Sequence, residues 1–155
     1  MINVLFVCLG NICRSPMAEY VFKDMIKNNG LEKQFYVSSA ATSYEEIGND
    51  MHYGTKDQLD KKGIPYTKHK AKRIEKQDYE KYDYIIGMEE SNIRNILRIV
   101  GNDRDKKIYK LLDFSKNPRD IADPWYTGKF TITYQDIVEG CTEFLNYLKK
   151  ENVVK

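Results

Sequence analysis

Val4-Leu5-Phe6-Val7-Cys8-Leu9-Gly10-Asn11-Ile12-Cys13-Arg14-Ser15-Pro16 decides how this chain folds. Val4 to Val7 is a continuous apolar run, which suits a strand buried on both faces in the middle of a parallel sheet. From Ser15 onward, Met17, Ala18, Val21, Phe22, Met25 and Ile26 recur at helical spacing, and Asn28, Asn29 and Gly30 form a C-terminal stop. Residues 8–14 are therefore expected to form a strand-to-helix loop. Ligands of open α/β sheets bind there, at the carboxyl ends of strands.

Beyond this stretch, short apolar runs alternate with longer amphipathic ones. Strands are expected around Phe35 to Ser39, Tyr82 to Met88 and Ile108 to Leu111. Helices are expected near Gly54 to Lys62, Glu89 to Val100 and Thr133 to Lys150. The alternation predicts an α/β fold: a single domain over residues 1–155, doubly wound, with a mainly four-stranded parallel sheet and helices on both faces. In the last helix Tyr134, Ile137, Val138, Cys141, Leu145 and Leu148 make one apolar stripe, so Cys141 reads as packing. The charge-dense stretch from Asn102 to Lys107 reads as a solvated turn.

Composition narrows the function classes. With 155 residues, 41% of them apolar or aromatic, one sizeable core is expected. The 25 basic and 23 acidic residues leave a formal net charge of +2, too balanced to announce a nucleic-acid or membrane-surface protein, so any anion selectivity must be local. The beginning, Met1-Ile2-Asn3, carries no basic leader or long apolar span, and a cytoplasmic location is expected. Three cysteines make a poor disulfide framework, and no Cys/His metal cluster is present, so no metal site is expected.

Cys8 stands six residues before Arg14. A loop of that length can curl so that successive backbone N–H groups point inward, a nest sized for a tetrahedral dianion, with Gly10 easing the turn. The following helix aims its N-terminus at the same spot, and the Arg14 guanidinium can grip two phosphate oxygens. These positive influences favour a thiolate at Cys8 without a neighbouring histidine, and Ser15 can donate to that sulfur. The plainer reading makes Cys8 a small buried hydrophobe and Arg14 a surface charge. The buried strand before the loop, the internal glycine and the Ser-Pro helix start favour chemistry.

Val7 to Glu19, VCLGNICRSPMAE, resembles the signature of the low-molecular-weight protein tyrosine phosphatases. The similarity extends through Ser39 to Ser43, His69 to Arg73, Tyr82 to Asn92 and Asp123 to Gly128. The resemblance implies a cofactor-independent hydrolase, with Cys8 as nucleophile, Arg14 as phosphate ligand and Leu9, Gly10, Asn11, Ile12, Cys13 and Ser15 completing the phosphate loop. It makes Asp123, at the head of Asp-Pro-Trp-Tyr-Thr-Gly, the general acid. Read by itself, that segment is an ordinary Asp-Pro turn with packed aromatics.

By the same resemblance, Leu9, Ile12, Trp125 and Tyr126 wall a slot for an aromatic phosphoester, with Tyr44 and Glu45 at its rim. Asn11, Ser15, Ser39 and His69 form a supporting hydrogen-bond network. Without it, His69 between Lys68 and Lys70 reads as a surface histidine. Cys13 is either a packed small residue or, as the family favours, a reversible disulfide partner of Cys8. The sequence departs from the family pattern at Trp125, where tyrosine is usual, at Glu45, where an aromatic is common, and at Ala41, where glycine is expected.

The expected substrate is a phosphotyrosine-containing protein or peptide, with inorganic phosphate as product, no nucleic acid or membrane partner, and a monomer as the default. Ile12 sets the chain apart from the related protein arginine phosphatases, which carry a small hydroxyl residue there. Arsenate reduction needs two further redox cysteines near mid-chain, and none lies between Cys13 and Cys141. A non-catalytic phosphate-binding module is the remaining alternative, against which Asp123 and Arg14 argue.

Overall fold

The computed structural model describes residues 1–155. Its centre is a sheet of four parallel strands in the order β2-β1-β3-β4: β1 Ile2–Cys8, β2 Phe35–Ala41, β3 Tyr84–Gly87 and β4 Ile108–Lys110. Six α-helices surround it: α1 Arg14–Asn28, α2 Tyr53–Lys61, α3 Asp78–Lys81, α4 Glu90–Val100, α5 Pro124–Thr127 and α6 Phe130–Lys150. The doubly wound α/β fold expected from the sequence is the one observed. None of the helices is long and apolar enough to cross a membrane.

β1 alternates between two cores because successive strand side chains point to opposite faces. Val4, Phe6 and Cys8 join Met17, Phe22 and Phe144 under α1 and α6, while Leu5 and Val7 join Tyr82, Ile85 and Ile96 under α3 and α4. The strand is buried from Val4 to Cys8, which explains its unbroken apolar run. α6 presses so closely on the 3-10 turn Leu111–Phe114 that a Cβ at Gly140 would stand 2.4 Å from Leu111 Cγ.

Several local expectations shift. The third strand begins at Tyr84, because Tyr82 closes the short helix α3 and fills the second core. α6 starts three residues before Thr133, at Phe130. The Asn102–Lys107 connection is held by Asp103, whose carboxylate accepts from Tyr79 Oη, Lys107 N and Ile108 N.

β1 lies between β2 and β3, so its two neighbours are reached by connections running in opposite directions. The sheet's topological switch point is at the carboxyl end of β1, where Cys8 stands.

Candidate active site

Cys8 ends β1 opposite Ala41 of β2, and only 3% of it is exposed. The chain then turns through residues 9–13 into α1, which starts at Arg14, one residue before the expected Ser15. The left-handed conformation the turn requires falls on Asn11, at φ 59°, and not on Gly10. Asparagine tolerates that region better than most residues. Gly10 serves a different need: Glu46 Cγ would stand 3.4 Å from a Cβ placed there.

The backbone N–H groups of residues 9–13 donate to no protein acceptor, whereas the carbonyls around them are held. Ile12 O accepts from His52 N at 2.9 Å, and Cys13 O from Thr55 Oγ1 at 3.0 Å. His69 is buried and pairs through Nε2 with Asn11 O at 2.7 Å, so it is not the surface histidine its lysine neighbours suggested. Free donors on a pinned loop are the chemistry of an oxyanion cradle.

A directed chain of hydrogen bonds runs beneath the loop. Ser39 Oγ donates to the Glu19 carboxylate at 2.6 Å, so it must accept from Asn11 Nδ2 at 2.9 Å. Asn11 Nδ2 also donates to Ser15 Oγ at 2.8 Å, while Asn11 Oδ1 accepts from Lys72 N at 3.1 Å, which fixes the amide's orientation. The Ser15 hydroxyl proton then has two acceptors within reach, Cys8 Sγ at 3.1 Å and Ala40 O at 3.4 Å, the sulfur being the nearer, and Ser15 N lies 3.4 Å from the same sulfur. Glu19, anchored in turn by Lys23, therefore sets the polarity of the whole network.

Arg14 is 1% exposed. Its Nη1 donates to Ile121 O at 2.9 Å, Glu89 Oε2 stands 3.3 Å from Nη1, and Asp123 Oδ2 stands 3.3 Å from Nη2. Burial works against the charge of this guanidinium, but Cys8, Asp123 and Glu89 outweigh it and raise its pKa. Arg14 Nε is buried with no hydrogen-bond partner, a cationic donor still available to an anion.

Asp123 caps α5, accepting from Trp125 N at 3.0 Å through Oδ1, so the Asp-Pro turn is one turn of helix closed by Gly128 in the left-handed region. The segment before it is pinned at buried Ile121, whose N–H bonds Met88 O at 2.9 Å. These elements enclose a pocket of about 100 Å³ with Cys8 and Arg14 in its lining, walled by Leu9, Ile12, Asp123, Trp125 and Tyr126. Trp125 is 56% and Tyr126 77% exposed, so they form an open wall more than a deep slot. His52 meets the Trp125 ring edge-on at 5.6 Å and stacks on Phe130 at 4.9 Å.

At the rim, Glu45 lines the pocket as expected, joined by Glu46, but Tyr44 does not. Tyr44 lies over the Arg73 guanidinium at 4.3 Å, turned toward a neighbouring groove, because the chain reverses within the Tyr44-Glu45-Glu46-Ile47 turn. Cys13 lines the pocket yet packs against Ile12 and Ala71. Burial, reinforced by Cys8 and Asp123, pushes its thiol up to about 12, so it stays protonated at neutral pH. Cys141 lies in the α6 core, its thiol pushed up by burial alone.

Sequence reasoning missed Glu19, Glu46, His52 and Glu89 as parts of this site. Glu89 stood within a stretch matching the family, but its pairing with Arg14 spans 75 residues and leaves no local trace. Glu19 lies one helical turn beyond Ser15, on the same face, a spacing that offers the one usable signal.

Residues 3–154 match the family described as low molecular weight phosphotyrosine protein phosphatase. The chain is 41% identical to the low molecular weight protein-tyrosine-phosphatase YfkJ of Bacillus subtilis over 97% of its own length and 98% of that protein. It superposes on the YfkJ crystal structure with a TM-score of 0.94, covering 97% of this chain and 96% of that one. A low molecular weight protein tyrosine phosphatase from Streptococcus pyogenes is similar at 40% identity and TM-score 0.85, over 96% and 93% of the two chains. A Drosophila arginine phosphatase is similar at 30% identity and TM-score 0.86, over 94% and 97%.

Proposed function

The chain belongs to the low molecular weight phosphotyrosine protein phosphatases, and from that premise we propose that it hydrolyses phosphotyrosine on proteins and small aryl phosphates through a phosphocysteine formed on Cys8. The observation that carries this reading is the convergence of three residues on one small pocket, Cys8, Arg14 and Asp123, with Arg14 Nε left without a protein partner.

The substrate dianion sits on the N–H groups of residues 9–13 and on Arg14, whose contact with Asp123 it loosens. The Cys8 thiolate attacks phosphorus in line, a P–S bond forms, the P–O bond to tyrosine breaks, and Asp123 gives its proton to the departing phenolate. Water then attacks the phosphocysteine, Asp123 takes a proton from it, the P–S bond breaks, and phosphate leaves. Ser15 meets the returning thiolate with the proton that the Glu19–Ser39–Asn11 chain leaves free. Leu9, Ile12, Trp125 and Tyr126 flank the substrate ring. A peroxide would oxidise Cys8 to its sulfenic acid with loss of water, and the Cys13 thiol would then displace a second water from that sulfur to close a reversible disulfide.

Phosphate release from matched phosphotyrosine, phosphoserine and phosphoarginine peptides tests this. Turnover is expected for phosphotyrosine alone, abolished by Cys8→Ser. Asp123→Ala should lower kcat roughly 10²- to 10³-fold for phenolic leaving groups and much less for strongly acidic ones. Preference for phosphoarginine would overturn the specificity, and Cys8-independent release the covalent step.

A further inference from the structure

Beside the catalytic pocket lies a second, much larger concavity of about 980 Å³, against about 100 Å³ for the pocket itself. The small one fits a single phosphorylated side chain, whereas the large one has room for a peptide segment. The two share the Tyr44-Glu45-Glu46-Ile47 turn: Glu45 and Glu46 face the pocket, Tyr44 and Ile47 the groove.

Lys72, Arg73, Lys76, Lys81 and Arg98 line the groove, against two carboxylates, Glu75 and Asp78. That local excess of three positive charges exceeds the +2 of the entire chain. None of the five cations makes an ion pair. Both carboxylates are engaged locally, Asp78 by Glu75 N at 2.8 Å and Glu75 by Gln77 Nε2. A concave surface lined by one sign of charge focuses the field on its occupant.

The groove is also within reach of the chemistry. Cys8 pairs with Ala41, and Ala41 bridges to Arg73. With neighbouring strands about 4.8 Å apart, the Arg73 backbone stands roughly 10 Å from that of Cys8. An extended peptide advances about 3.3 Å per residue, so groove contacts begin about three residues from a phosphotyrosine in the pocket.

We propose that this groove is a docking site for an acidic segment of the phosphoprotein substrate, lying about three to six residues from the phosphotyrosine. The proposal rests on the phosphatase reading above and deepens it. Recognition is by charge: Asp or Glu side chains of the substrate meet the unpaired cations, and the acidic rim at Glu45 and Glu46 keeps that segment out of the pocket and beyond the turn.

The test compares three phosphotyrosyl peptides, alike except for a four-residue Glu, Ser or Lys run three to six residues from the phosphotyrosine, on the intact protein and on Lys76→Glu/Arg98→Glu, with a small aryl phosphate as control. The wild type should favour the Glu peptide over the Ser peptide by about tenfold in kcat/KM, through KM, and 0.5 M salt should erase the preference. The double variant should lose it while turning over the aryl phosphate unchanged. Equal treatment of the three peptides by the wild type, or a preference that survives in the variant, would overturn the docking site and leave the phosphatase standing. Groove-dependent binding to anionic vesicles without any peptide preference would assign the surface elsewhere. If the aryl phosphate is not turned over at all, the phosphatase reading fails. Fluorescence anisotropy of the unphosphorylated Glu peptide on the two proteins then decides the docking site separately.

Discussion

At the scale of single residues, Asn11 carries more than any other position outside the proposed chemistry. Its backbone takes the left-handed turn, its carbonyl meets His69, and its amide links Ser15, Ser39 and Lys72. Asn11→Ala should lose all the amide's hydrogen bonds and pay the steric cost of a Cβ at positive φ without a local polar contact, about 2–3 kcal/mol together. Asn11→Gly relieves the backbone but loses the same bonds, so it should be about 1 kcal/mol more stable than the alanine variant in urea unfolding. Both should lose tenfold or more of aryl phosphate turnover, because each frees Ser15 Oγ to turn away from Cys8. A glycine variant with full activity would remove the network from the account of the site. Arg14 shows the opposite economy: both terminal nitrogens are engaged, by Ile121, Glu89 and Asp123, and its buried Nε alone is left without a partner.

Among the elements, α6 holds the start of the segment leading to Asp123, which Met88 and Arg14 pin further on at Ile121. Arg119 forks onto Glu139, with both contacts at 3.0 Å, and reaches Asp136 at 2.8 Å, while Ser115 Oγ donates to the same Glu139 carboxylate. Bonding to Arg119, then to Ser115, lowers the Glu139 carboxyl to about 2. A folded-state value below the unfolded one, about 4.3, stabilises the protein above that pH, and the contribution disappears as pH falls toward 2. Because Glu139 is 39% exposed, the pair is solvent-screened and contributes only about 0.5–1 kcal/mol. Glu139→Gln should therefore lower the unfolding free energy from urea titration at pH 7 by that amount, and the gap to the wild type should narrow steadily below pH 4. A gap unchanged down to pH 3 would show that the carboxylate's charge is not what holds the segment.

Taken as a whole, the molecule has two cores separated by one sheet, and Cys141 sits at the centre of the larger one, fully buried under α1. Its alkylation should therefore require global unfolding, with the same denaturant midpoint as the loss of helical circular dichroism. Labelling at lower urea would show α6 opening as a unit of its own. The unbroken apolar run of β1, the helical spacing after Ser15 and the stripe in α6 settled the α/β class and put a loop with Cys8 and Arg14 at a strand's carboxyl end, because burial periodicity and local turn chemistry are written in adjacent residues. Legible in the same way was the Asp123 turn, since Pro124 restricts the backbone around it and Gly128 can take the left-handed conformation that closes it. The sequence by itself could not say that Glu89 and Ile121 would hold Arg14, that Glu19 would direct the Ser39–Asn11–Ser15 chain, or that Tyr44 would turn away to Arg73. Nor did it show that cations from three separate segments would share one groove. Those contacts join residues tens of positions apart, and only the order of strands in the sheet and the packing of helices across it decide which distant side chains meet.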